Sequence, residues 1–137
     1  MLKTKISPLA LVLASLSAPA SADLIISEYI EGSSNNKAIE LYNNADTELS
    51  LEGYTLGLYS NGSSSVGNSI DLSGTLAANT TYIISNSGAD AAILDIADIT
   101  STVTYYNGDD ALVLTKDGVV VDSFGQVGVD PGSFWSD

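Results

Sequence analysis

The chain contains no cysteine, no histidine and no arginine. Without cysteine there is no disulfide, no thiolate metal site and no cysteine nucleophile. Many small exported domains rely on disulfides, so a fold built from this chain must hold itself by its core, by bound ions or by neighbouring domains. Without histidine, Ser–His–Asp and Cys–His constellations are impossible. A serine nucleophile would need an activating lysine, and outside the first 22 residues only Lys37 and Lys116 remain, both in turn-flanking positions. Long hydrophobic runs are missing too. The one extended apolar stretch lies at the start, and it is well short of the ~20 residues a spanning helix requires. Every later apolar run is broken by Gly, Asn, Asp or Ser.

What the first residues do contain is the pattern of an export signal. Lys3 and Lys5 form a positive start and Ile6 to Leu16 an apolar centre. Small residues follow and close on Ala20-Ser21-Ala22. Charge, apolar core and A-x-A site together predict cleavage after Ala22, with Asp23 as the new N-terminus and a secreted product that is not membrane-bound after cleavage. The remaining 115 residues of the 137 suffice for one domain with a single core.

Removing residues 1–22 takes two of the four lysines and none of the 17 acids, so the remainder carries a formal charge of −15. A field of that sign repels phosphate backbones and attracts cations, so no direct binding to nucleic acid is expected. At 45% hydrophobic residues with seven tyrosines, the composition is that of a folded domain.

Short apolar runs alternating with turn residues predict an all-β sandwich or barrel. Strands are expected at Leu24–Ile30, Lys37–Asn43, Tyr54–Tyr59, Ser69–Leu72, Thr80–Ser85, Ala111–Thr115 and Val119–Phe124. Strand periodicity puts Ile39 and Leu41 on one face, with Ala38, Glu40 and Tyr42 on the other. The one expected helix is Ala89–Ile96, with Ser87 as its cap and Asp90 in its first turn. Lys116-Asp117-Gly118 between two apolar runs is a strong hairpin signal. Gln126–Asp137 reads as a Gly/Pro-containing tail that reaches Phe134 and Trp135, large aromatics that ordinarily pack against something. The expectation drawn from them is a longer polypeptide, of which residues 133–137 begin a truncated continuation or linker.

Five segments, in order, resemble a known family. Leu24-Ile25-Ile26-Ser27-Glu28-Tyr29 and Lys37-Ala38-Ile39-Glu40-Leu41-Tyr42-Asn43 resemble the opening strands of the lamin-tail domain. Leu51-Glu52-Gly53-Tyr54-Thr55-Leu56 resembles its next segment. Asn107-Gly108-Asp109-Asp110-Ala111-Leu112-Val113-Leu114 and Asp117-Gly118-Val119-Val120-Val121-Asp122-Ser123-Phe124-Gly125 resemble its closing hairpin. The resemblance extends over residues 23–132 and is closest to lamin-tail domains at the N-terminus of bacterial extracellular nucleases. It implies an immunoglobulin-like β-sandwich of lamin-tail type, here lacking its last strand. It also implies an accessory role beside a metal-dependent phosphodiesterase domain that does the cutting.

Candidate site residues are few. No catalytic residue and no certain cofactor is assigned. Asp109-Asp110, preceded by Asn107-Gly108, and Glu28 are the metal candidates, with Ca²⁺ the cation that carboxylate and carbonyl oxygens suit. For Asp109 and Asp110 the competing reading is a turn, and the spacing is not that of an EF-hand loop. Asp117 is read as serving its hairpin turn, Asp122 as facing solvent or a neighbouring turn. Glu28 shares strand parity with Leu24, Ile26 and Ile30, so it interrupts an apolar face and must either find a partner, Lys37 or a cation, or remain at a solvated strand end. Tyr105 and Tyr106 are the tyrosines expected to be exposed for contact.

The function expected is therefore a non-catalytic accessory or interaction module of a secreted nuclease. Its partners would be the downstream nuclease domains of the same polypeptide or another protein. The second reading is a free-standing secreted adhesion or ligand-binding module dependent on calcium.

Overall fold

Strand alternation and turn chemistry produce the elements the sequence predicts, with a few short additions. The computed structural model describes residues 22–136, so the export signal expected over residues 1–22 falls almost wholly outside the described residues. The strands are β1 Leu24–Glu31, β2 Lys37–Asn43, β3 Leu49–Ser50, β4 Tyr54–Tyr59 and β5 Ser69–Asp71. They continue with β6 Thr75–Leu76, β7 Thr81–Ser85, β8 Ile99–Thr100, β9 Ala111–Lys116 and β10 Val119–Phe124. One four-residue helix, α1 Ala91–Leu94, and one 3-10 turn, Thr102–Thr104, interrupt them. No helix among the described residues is long and apolar enough to cross a membrane.

Two four-stranded sheets form the body, ordered β1-β2-β7-β8 and β10-β9-β4-β5, with β3-β6 a small separate pair. All pairings are antiparallel except β7 with β8. The fold is an all-β, immunoglobulin-like sandwich. Its core lies between the sheets, where Ile39 and Leu41 of β2 and Ile84 of β7 meet Leu56 and Leu58 of β4 and Leu112 and Leu114 of β9. All seven are at most 1% exposed. The expected parity of β2 holds, and Tyr54, Leu56 and Leu58 share a buried face.

The Asp117-Gly118 hairpin forms as its composition predicts. Both residues have positive φ, 49° and 80°, the twist that a two-residue primed turn imposes between Lys116 and Val119. Asp117 also reaches back to Gly53, donating its N–H to the Gly53 carbonyl at 2.9 Å.

The expected helix over Ala89–Ile96 shortens to Ala91–Leu94, and Ser87 is not its cap. Asp90 takes the cap position, but its carboxylate accepts from Asn36 Nδ2 at 2.8 Å instead of from a helix amide. The cause is tertiary. Asp98 donates its N–H to Ile83 O and Ser101 to Ser85 O, which lays Ile99–Thr100 along β7 as a parallel edge strand. The chain must leave the helix in time to make those bonds. No periodic signal marks a two-residue strand, so β3, β6 and β8 were not legible.

Two β-bulges sit at facing edges of the sheets. In β1 the register shifts between Ile26 and Glu28, with Ser27 the extra residue. In β10 it shifts between Val120 and Asp122, with Val121 the extra residue. The bulge in β1 corrects the parity expected for Glu28: Tyr29, not Glu28, faces inward across from Ile39, while Glu28 stands exposed opposite Glu40. It interrupts no apolar face. Lys37 is engaged elsewhere, 3.9 Å from Glu31.

A core closed without a disulfide is sensitive to voids. Leu56→Ala is expected to lower unfolding free energy by about 2–5 kcal/mol, a large part of the roughly 5–15 kcal/mol typical of a domain. Urea denaturation followed by tyrosine fluorescence checks this, and a shift of the midpoint without a change of slope is the expected form.

Candidate functional site

Buried polar groups need partners, and here they gather at one end of the sandwich. Asp110, 2% exposed, precedes β9. Its Oδ1 accepts the Asn61 N–H and its Oδ2 the Asn107 N–H, both at 2.8 Å. Its carbonyl accepts the Trp135 indole N–H at 2.8 Å. One residue thus ties together the loop after β4, the turn before β9 and the C-terminal segment. The turn reading of Asp110 is the one the geometry supports, since both carboxylate oxygens are occupied by backbone amides. Asp109 is half-buried beside it. Glu28 lies on the outer face of the other sheet, opposite Glu40. Among the described residues no group of three or more Asp or Glu side chains is arranged to hold a metal.

The C-terminal segment folds back as a strap. The indole of Trp135 lies against Gly125, within 2.6 Å of where a Cβ would stand, and Gly125 has φ +74°. Glycine is required there on both counts. Trp135 also donates its backbone N–H to Gly108 O, and Gly128 donates to Ser63 O. Trp135 therefore has its packing partner, while Phe134 is 67% exposed.

Behind these contacts stands an aromatic cluster. Tyr106 is fully buried, which corrects the expectation that it offers an exposed contact; of that pair only Tyr105, 53% exposed, does so. The Tyr106 hydroxyl lies 2.7 Å from Ile30 O and 2.9 Å from Ala38 O, so its one proton is shared between two carbonyls of the first sheet. Tyr29 packs on Tyr106 with ring centroids 4.5 Å apart and stacks on Phe124 at 4.1 Å. Lys37 Nζ donates to the Tyr106 carbonyl and to Asn107 Oδ1 at 3.3 Å. Burial, reinforced by the charge of Glu31, raises the phenol pKa of both Tyr29 and Tyr106 well above the ordinary 10.0.

The outer face of the sheet β10-β9-β4-β5 carries two contiguous depressions, the larger of them walled by the strap. The larger, about 380 Å³, is lined by Tyr59, Ser64, Val113, Val120, Ser123, Gly125, Gln126 and Val127. The smaller, about 140 Å³, continues it past Tyr59 and Val113 to Thr55, Gly57, Val66, Ser69 and Thr115. None of these residues is charged. Val120 is 61% and Val66 51% exposed. Sequence reasoning missed this groove. Its strand residues are the outward-facing partners of core residues, and only Tyr59, Val113 and Val120, apolar on a solvent face, could have signalled it.

The fold and the site define an immunoglobulin-like β-sandwich whose most distinctive surface is an uncharged groove. The chain matches the Lamin Tail Domain family over residues 17–128 and belongs to that family, a non-catalytic, immunoglobulin-like domain. Comparison with curated proteins yields no match.

Two outcomes follow from the buried groups. Replacing Asp110 with Ala leaves the Asn61 and Asn107 amides without their carboxylate partner and removes charge-assisted bonds of about 1.5–3 kcal/mol each, so a drop in the thermal midpoint of several degrees is expected by calorimetry. The tyrosines act at high pH. Their raised folded-state pKa means the unfolded chain releases protons first, so their contribution to stability is full below pH 10.0, the unfolded value, and declines as pH rises beyond it. Unfolding at a series of alkaline pH values should show that decline, with phenolate absorbance delayed for the buried pair.

Proposed function

We propose that this domain is a non-catalytic interaction module of an exported protein, the front end of a secreted nuclease whose catalytic domains it positions. The observation that carries the reading is the uncharged groove on a body that otherwise bears 17 acids against two lysines. A surface kept free of charge on so acidic a domain suits contact with a protein better than solvation. Two further facts support it. The only general acid–base side chains available are carboxylates, tyrosines and two lysines, and the lysines are engaged with backbone carbonyls, Lys37 with Tyr106 and Lys116 with Glu52. The positive start, apolar centre and Ala20-Ser21-Ala22 motif support export.

The test has two arms. The protein incubated with duplex DNA and Mg²⁺ is expected to produce no cleavage, and turnover abolished by no contaminant control would overturn the non-catalytic reading. The reading frame beyond the codon for Asp137 is expected to enter a metal-dependent phosphodiesterase domain. A stop codon there would overturn the nuclease connection and leave a free-standing binding module.

A further inference from the structure

The groove has chemistry specific enough to name its occupant. Gly57 forms its floor in the middle of β4, where the pairing to β5 and β9 runs without a bulge. Its φ lies outside the left-handed region, so the backbone does not demand glycine there. A side chain at this position would meet Val66 Cγ2 at 3.1 Å and Tyr59 Cε2 at 3.5 Å, filling the smaller depression. Glycine inside a strand weakens it, and close approach of another group is one reason for its presence.

Electrostatics narrow the choice. Both lysines outside the first 22 residues are turned to backbone carbonyls, and Lys116 lies 4.8 Å over the Tyr54 ring, on the inner side of the sheet. The acids around the groove are therefore left without a cation from this chain. Asp71, whose Oδ1 accepts the Thr55 hydroxyl at 2.7 Å, borders the smaller depression. Asp130, three residues after Val127 of the larger depression, packs on Gly62, two residues before Ser64 of the same wall. A second copy of this chain, an anionic membrane and a nucleic acid would each meet a like charge. A cationic protein segment would not.

Size completes the argument. The groove crosses from β10 to β5, three strand spacings, or roughly 14 Å. An extended chain covers that distance in about four residues, and side chains at i and i+2 point the same way, roughly 7 Å apart. We infer that the groove receives an extended segment of a partner protein, with two apolar side chains at i and i+2 seated in the two depressions and lysine or arginine on either side. This rests on the reading of the domain as an interaction module.

The probe is a fluorescein-labelled heptapeptide, Lys-Lys-Val-Ser-Val-Lys-Lys, titrated with the protein and followed by anisotropy. One comparison peptide carries serine for both valines, and another carries glutamate for all lysines. The expected result is saturable binding of the first peptide, at least about tenfold tighter than either of the others. Val120→Ser and Gly57→Leu should each weaken it by a similar factor, with melting temperatures showing the variants folded. Val119→Ser, which alters a residue 67% exposed but outside the groove, should leave it unchanged.

Equal binding of the serine peptide would overturn the apolar anchors, and equal binding of the glutamate peptide would overturn the basic flanks. Binding of none of the three, or self-association blocked by Gly57→Leu in sedimentation experiments, would overturn the proposed occupant. Those results leave the interaction-module reading to the reading frame and the DNA assay, so the two failures are distinguishable.

Discussion

Asp122 accepts the Ile26 N–H at 2.8 Å across the open side of the sandwich, joining the edge strand of one sheet to the edge strand of the other. Both strands carry a bulge beside this bond, in β1 after Ile26 and in β10 before Asp122. The bulges turn Tyr29 and Phe124 inward, where they stack on one another and Tyr29 packs tilted on Tyr106. An edge amide that would invite pairing by another chain is thereby satisfied within the domain. Asp122 was expected to face solvent or a turn. Instead it is half-buried and closes the fold at its open edge. In a sandwich with no disulfide between its sheets, the rest of the architecture depends on that closure.

The strap depends on the same region. Gly125 follows directly on β10, and the Trp135 indole rests on it while bonding to Asp110 O. Gln126 and Val127, between these anchors, become one wall of the groove. The network around Asp110 thus shapes the outer surface as well as the buried end of the domain. Distant stretches of chain, the loop after β4 and the last dozen residues, share one set of hydrogen bonds.

Charge is distributed with the same economy of groups. The two lysines cap carbonyls at the ends of the sandwich, and the single ion pair among the described residues, Lys37 with Glu31, is long at 3.9 Å. A single pair at that separation contributes little to stability. Apolar burial and backbone pairing hold the structure, while the acids confer a strong negative field. The groove is an uncharged strip within that field, which is why partner electrostatics follow from the parts of the surface that do not touch it.

Residues whose structural role is local were legible in the sequence. Asp117-Gly118 specified its turn because positive φ is a property of those two residues, and the alternation in β2 specified which of its side chains enter the core. The ordered motifs were sufficient to indicate the lamin-tail family. Tertiary structure alone decided the position of Glu28, because a single inserted residue in β1 reverses parity and no composition announces it. It alone decided that Asp110 clamps three segments, that Tyr106 is buried and that Trp135 lies on Gly125. Most of those roles come from partners ten or more residues away in the chain, and local periodicity carries no information about them. The groove belongs with them: its apolar residues become a surface only when β10, β9, β4 and the strap are brought side by side.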